Sequence, residues 1–240
     1  MPVRLERPAA GKGAPAVWLR SAGRIVRGID VPNENAKRRG GERSPSAGLL
    51  LDATAQLLAE VTTVDVSLSE IAKRAAVNSA LIKYYYGNKE GLLLALLERE
   101  AKTAMASLKA LAGMEMPADK KLKLHINAII DAYYKAPYVN RLIHYMVDSG
   151  SPQASRRVTE LYTEPMIAVY RAIVEQGVRE GVMQPVNPGL LYYCLAGAAD
   201  HIFHAAYSVP ATLGVTALDE GIKQQYAALV SGIFLRGLAP

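Results

Sequence analysis

Residues Ser67 to Glu90, SLSEIAKRAAVNSALIKYYYGNKE, place two short helices around a tight turn and start a third immediately afterwards. Ser67 and Glu70 form an S-x-x-E capping box, in which each residue satisfies a backbone donor that a helix start leaves open. Leu68, Ile71, Ala72 and Ala75 then recur at helical spacing as one buried face, with Lys73 and Arg74 on the other side. Ala76-Val77 is the turn, and Asn78 caps the next helix. There Ile82 and Tyr86 point inward and leave Ser79, Ala80, Lys83 and Tyr84 outward. Gly87-Asn88 ends that helix. A small helix, a turn and an exposed second helix is the geometry that sets side chains against base edges in a DNA major groove.

The surrounding sequence is helical as well. Ser44-Pro45 is a cap followed by proline at the first helical position. Leu50, Ala53, Leu57, Leu58 and Val61 form the apolar face that follows. Asn88 opens a long helix through Leu92, Leu96 and Leu97 to about Leu111. Pro117, Pro137, Pro152 and Pro188 each open another. The Pro152 helix is expected to kink near Pro165 and end around Gly181, and Leu218–Gly237 is the last. No alternating strand pattern competes, so the expected fold is all-α, with about nine helices. It divides into a flexible basic arm (1–44), a three-helix helix-turn-helix DNA-binding domain (45–92) and a larger helical domain (93–240), to which the family resemblance given below assigns effector binding and dimerisation.

Charge separates the arm from the body. Of the net +6, residues 1–44 carry 10 Lys/Arg against 4 Asp/Glu, which is +6, and residues 45–240 carry 18 of each. The arm is rich in Pro, Gly, Ala and Arg without sustained periodicity, a composition that cannot offset ordering entropy by burying a core. Its Lys37, Arg38, Arg39 and Arg43 stand just ahead of the first helix, where they suit phosphates or a minor groove. The helix-turn-helix itself, residues 62–90, has 4 Lys/Arg against 3 Asp/Glu, a thin electrostatic footprint that a dimer and the arm would reinforce. The single cysteine, Cys194, excludes an internal disulfide, fits a reducing cytoplasm and reads as a buried small apolar residue. No run of about 18 apolar residues argues for a membrane span. No G-x-S-x-G, P-loop, H-E-x-x-H or Cys/His cluster argues for an enzyme, and neither a cofactor nor a metal is expected.

Three blocks together make the chain resemble the TetR/AcrR family of bacterial transcriptional regulators: D-A-T-A-Q-L-L-A-E at Asp52–Glu60, S-L-S-E-I-A-K-R-A at Ser67–Ala75, and Y-Y-Y-G-N-K-E at Tyr84–Glu90. The match covers residues 45 to about 97. It departs from the family pattern at Ala76, where glycine is usual, and at Lys83, where an aromatic residue is common. If the turn needs a positive φ, alanine there costs about 1 kcal/mol relative to glycine.

The resemblance implies a DNA-contact set of Ser67, Asn78, Ser79, Ala80, Lys83, Tyr84 and Lys89. Ser67 caps its helix and offers a hydroxyl to a phosphate, Ala80 a methyl to thymine, and Lys83 an ammonium to phosphate or guanine. Lys89 stands where a helix start suits a phosphate. The resemblance further implies a homodimer through the last two helices on a pseudo-palindromic double-stranded operator. An effector pocket for a small molecule is also implied, in the Tyr- and Met-rich residues 133–207. Tyr133, His144, Tyr145 and Tyr170 are its candidate ligand contacts. Asp200, His201 and His204 share a helix face at metal-like spacing, but without a fourth ligand they read as polar groups satisfied at the dimer face. The expected function is a cytoplasmic ligand-responsive transcriptional regulator, a repressor released by its effector. A helical interaction module with a degenerate helix-turn-helix and an activator remain as alternatives.

Overall fold

The computed structural model describes residues 44–240, and every structural statement refers to these; the basic arm lies outside them except for Ser44. The described residues form no strand. Their helices are α1 (Pro45–Glu60), α2 (Leu68–Arg74), α3 (Ala80–Tyr86), α4 (Lys89–Gly113), α5 (Ala118–Lys135), α6 (Pro137–Asp148), α7 (Pro152–Val158), α8 (Glu164–Arg179), α9 (Pro188–His204), α10 (Val209–Leu213) and α11 (Glu220–Leu238). A π-helical turn, Thr159–Thr163, joins α7 to α8, so these two run on as one continuous helix. With that joining, the structure adds one helix to the nine expected: the short α10, closed by Gly214 at φ +66°.

Local chemistry explains the boundaries. The capping box at Ser67 is complete, and Asn88, Ser151, Asn187 and Asp219 each accept a backbone N–H at the start of α4, α7, α9 and α11. Proline occupies the first turn of α1, α6, α7 and α9, where its missing N–H costs nothing. Pro165 behaves differently because it sits one turn inside a continuing helix. The π turn just ahead of it, where the Glu164 N–H reaches back to the Thr159 carbonyl, accommodates the missing donor.

Two apolar clusters make the core. The first joins Leu50, Leu58, Ile71 and Ile82 of α1–α3 to Leu92, Leu93, Leu96, Leu97 and Ala101 of α4, and continues into Val139, Leu142 and Met146 of α6 and Val158 of α7. The second gathers Leu108 of α4, Leu122, Ile126, Ile129 and Ile130 of α5, Ile173 of α8, Leu195 of α9 and Val230 of α11. Helix α4, 25 residues long and so about 38 Å from end to end, runs through both. The three-helix head is therefore packed against the body as well as against itself.

Polar contacts reinforce that junction. Arg141 of α6 donates through Nη2 to the carbonyls of Leu58 and Val61, both at 2.8 Å, at the C-terminal end of α1. Those carbonyls have no intrahelical partner, and a cation favours that end of a helix. Glu90, at the start of α4, accepts from the backbone N–H and hydroxyl of Ser151 at 2.8 and 2.7 Å, and these bonds lower its carboxyl pKa. Tyr162 donates to the Leu97 carbonyl at 3.0 Å.

Cys194 corrects the sequence reading. It is exposed because it lies on the face of α9 turned away from the core, alongside Leu190 and Tyr193.

Candidate nucleic-acid interface and internal cavity

The turn between α2 and α3 closes α2 in a Schellman arrangement: Val77 N–H bonds to the Ala72 carbonyl at 3.1 Å and Ala76 N–H to the Lys73 carbonyl at 3.2 Å. Ala76 occupies the left-handed position at φ +53°, alone among the described non-glycine residues in having a positive φ. The turn thus requires the conformation glycine adopts freely and imposes it on an exposed alanine. Asn78 caps α3 as expected, its Oδ1 accepting the Ala80 N–H at 2.8 Å.

Helix α3 is seated by Ile82, fully buried, and by Tyr86, whose hydroxyl donates to the Ala47 carbonyl at 2.7 Å. Seating these two residues turns Ser79, Ala80, Lys83 and Tyr84 into solvent. Tyr84 is 78% exposed, and its ring meets the edge of Tyr85 at 5.0 Å between centroids.

The cations divide into committed and uncommitted. Arg74 is fork-bonded to Glu60 at 2.7 and 2.8 Å, tying α2 to α1. Lys89 reaches Asp65 at 3.3 Å. Lys73 and Lys83 are exposed and in no ion pair with any described residue. The Ser67 hydroxyl directs its proton to Glu70 Oε2 at 2.6 Å, and that bond, with the one from the Ser67 backbone N–H, lowers the Glu70 pKa. Ser67 is thus a cap whose proton already has an acceptor, whereas Lys73, Lys83 and Tyr84 are exposed and make no hydrogen bond or ion pair through their polar ends to any described residue.

The body holds a cavity of about 930 Å³ between α4, α5 and α11, with Val139 and Ile143 of α6, Tyr162 and Met166 at its inner end. Its wall is largely aliphatic, interrupted by His125, Asn127, Asp131, Tyr133 and Lys223. His125 Nε2 and the Tyr170 hydroxyl are 2.7 Å apart, and burial lowers the His125 pKa to about 4, so the ring is neutral at physiological pH. Burial, with a smaller contribution from the charge of Asp200, raises the Tyr133 phenol well above its usual value.

Comparison with known proteins decides the family. Residues 50–96 match the family described as bacterial regulatory proteins, tetR family, and residues 115–240 match the Tetracyclin repressor-like C-terminal domain. The chain belongs to the TetR family. The HTH-type transcriptional regulator RutR of Escherichia coli is 26% identical over 173 residues, 72% of this chain and 81% of the relative. The HTH-type transcriptional regulator BetI 1 of Chromohalobacter salexigens is 33% identical over 97 residues, 39% of this chain and 45% of the relative. The crystal structure of the transcriptional regulator FadR from Bacillus subtilis, in complex with stearoyl-CoA, has the same fold. It superposes with a TM-score of 0.60 at 17% identity, covering 77% of this chain and 97% of that one. This TetR-family chain is a ligand-responsive, DNA-binding transcriptional regulator, and its relatives are regulators, not enzymes.

Of the effector candidates, the cavity takes in Tyr133. Tyr170 stands behind His125 and is 1% exposed. His144 lies outside, with Nε2 at 3.1 Å from Asp200 Oδ2, and the outward-facing Tyr145 is 37% exposed. Neither His144 nor Tyr145 is in the cavity wall. Asp200 thus has a partner in His144 and another in Asn140, and the described residues contain no group of three metal-binding side chains. Sequence reasoning missed His125. The signal was present, since His125 is a polar residue within the inward stripe of Leu122, Ile126, Ile129 and Ile130.

Proposed function

We propose that this regulator is a cytoplasmic repressor that binds a pseudo-palindromic operator as a homodimer and leaves it when a small molecule occupies the cavity. The observation that carries the reading is the outward row Ser79, Ala80, Lys83 and Tyr84 on a head whose core continues into the helices bordering the cavity. A ligand that prefers one placement of α4 and α6 shifts the head by its difference in affinity for the two placements. Asn78, Ser79, Ala80, Lys83 and Tyr84 read the major groove, and Lys89, with the start of α4, faces a phosphate. Arm residues Lys37, Arg38, Arg39 and Arg43, outside the described residues, add contacts to the backbone of the DNA.

The dimer forms through α9 and α11, the two long helices that end the fold. Support comes from the apolar side chains they leave in solvent: Leu190 (64% exposed), Tyr193 (67%), Leu229 (58%) and Ile233 (53%). Such a row on a folded chain marks an interaction face, and closed two-fold symmetry is the commonest assembly. Two heads then meet successive major grooves about 34 Å apart. Binding of the wild type and a Lys83→Ala/Tyr84→Ala variant to DNA upstream of the chain's own coding sequence tests the reading. Undiminished affinity in the variant would sink the assignment of the interface. Among the described residues no helix is long and apolar enough to cross a membrane.

A further inference from the structure

The cavity's own polar atoms narrow the chemistry of its ligand, on the reading that this cavity is the effector site. The charges between α5 and α11 are matched in pairs. Lys223 donates to Asp131 at 2.7 Å and lies 2.6 Å from Glu220, and Lys135 takes the other Asp131 oxygen at 2.5 Å. Lys123, the remaining cation of the wall, points to solvent. Asn127 and Ser231 bond to each other at 3.3 Å.

Three polar groups of the wall that are not exposed remain without a hydrogen bond to any described residue: the Asn127 amide nitrogen, the Tyr133 hydroxyl and the second nitrogen of His125. The Tyr133 hydroxyl has no hydrogen bond to any described residue and is not sealed from solvent, on a side chain that lines the cavity. The same reasoning applies to the second nitrogen of His125, whose recorded bond uses Nε2. The buried Tyr170 hydroxyl lies 2.7 Å from that Nε2 and has no other hydrogen-bond partner among the described residues, so its proton goes to the ring nitrogen. Satisfying its proton places the imidazole proton on Nδ1, where it faces the cavity as a donor. His125 and Tyr133 are two turns apart on α5, about 12 Å along its axis.

We infer that the cavity takes an uncharged, mainly apolar molecule bearing hydrogen-bond acceptors, such as ester or ketone oxygens, which the Nδ1–H of His125 and the hydroxyl of Tyr133 hold in place. An anion fits poorly because a carboxylate moved into an aliphatic wall needs a cation, and the inward ammonium groups are already matched. The neutral imidazole supplies none. This ligand class differs from the coenzyme A thioester bound by the Bacillus subtilis FadR, whose phosphates are anionic.

Calorimetric titration of the full-chain dimer at pH 7.5 with two matched pairs, methyl decanoate against decanoate and methyl 2-naphthoate against 2-naphthoate, tests the inference. Operator binding is followed in the same samples. At least one ester is expected to bind ten or more times more tightly than its acid. Tyr133→Phe and the double variant His125→Phe/Tyr170→Phe, which leaves no buried hydroxyl stranded, are each expected to weaken that ester roughly three- to tenfold. An acid that binds as well as its ester, esters that all fail to bind, or variants that leave ester affinity unchanged would each overturn the inference. Ester binding that is sensitive to both variants but leaves the operator complex intact would uphold the ligand class and refute the effector reading. Operator release by the acids alone would do the reverse.

Discussion

Replacing Ala76 by glycine should stabilise the protein, an outcome opposite to that of most substitutions. Ala76 sits at φ +53° in the position that closes α2, with its side chain in solvent. Removing its methyl group therefore sacrifices no packing. Holding an L-residue other than glycine in the left-handed region costs about 1–2 kcal/mol. Glycine relieves that strain but adds about 0.4–1 kcal/mol of freedom to the unfolded chain. The difference is a gain of about 0.5–1 kcal/mol, or about 1–4 °C in midpoint for a domain of this size. Urea unfolding at fixed protein concentration reads it directly, because a stability change moves the midpoint without altering the slope. Ala76→Val is the opposing control. A β-branched side chain at positive φ is strongly disfavoured, so valine should destabilise by more than glycine stabilises. A glycine variant that unfolds at or below the wild-type midpoint, together with a well-tolerated valine, would refute the left-handed turn and with it the entry angle of α3.

Other outcomes follow from the same structure. Arg141→Ala should cost about 2–4 kcal/mol by removing two charge-assisted bonds from the end of α1; Arg141→Met, which keeps the stem, should lose nearly as much in denaturant unfolding. His125 has a folded pKa of about 4 against 6.5 unfolded, so the unfolded state binds the extra proton. Its contribution is complete above pH 6.5 and fades as the pH falls toward 4, by up to about 3 kcal/mol; the acid limb of the stability profile should flatten in the His125→Phe/Tyr170→Phe variant. Deleting residues 1–43 should weaken binding to cognate and random DNA to a similar degree and lower the salt dependence, as fluorescence anisotropy at several salt concentrations would record.

The head was legible in the sequence because its instructions are local. The S-x-x-E box, the inward Ile71 and Ile82 and the Gly87-Asn88 exit lie within a few residues of what they control, and the structure places each accordingly. Even Ala76 could be flagged, since a tight turn demands a particular φ whichever residue occupies it. The cavity was less legible because its wall is assembled across the chain. The bond from Lys223 to Asp131 joins residues 92 positions apart, and no periodicity records that α11 lies along α5. An aromatic-rich stretch named Tyr133 but also His144 and Tyr145, which packing turned outward. Cys194 was misplaced for the same reason, since a small apolar residue reads alike whether its helix faces inward or toward a partner. The π turn was half visible: Pro165 marked a place where the helix ladder must change, whereas the wider turn depends on how the freed carbonyls find donors.

The passage of α4 through both cores has a consequence for anyone grafting this reader of DNA onto another sensor. Its seam does not coincide with a surface. A chimera cut after residue 92 would set Leu50, Leu58, Ile71 and Ile82 of the native head against a foreign α4 and α6, and would lose the grip of Arg141 on α1. The transplantable unit is therefore residues 45–101 together with the facing surfaces of α6 and α7, although these are separated in sequence. Specificity for DNA can be redesigned on the outward row of α3 alone, while exchanging the whole head requires recutting the body that holds it.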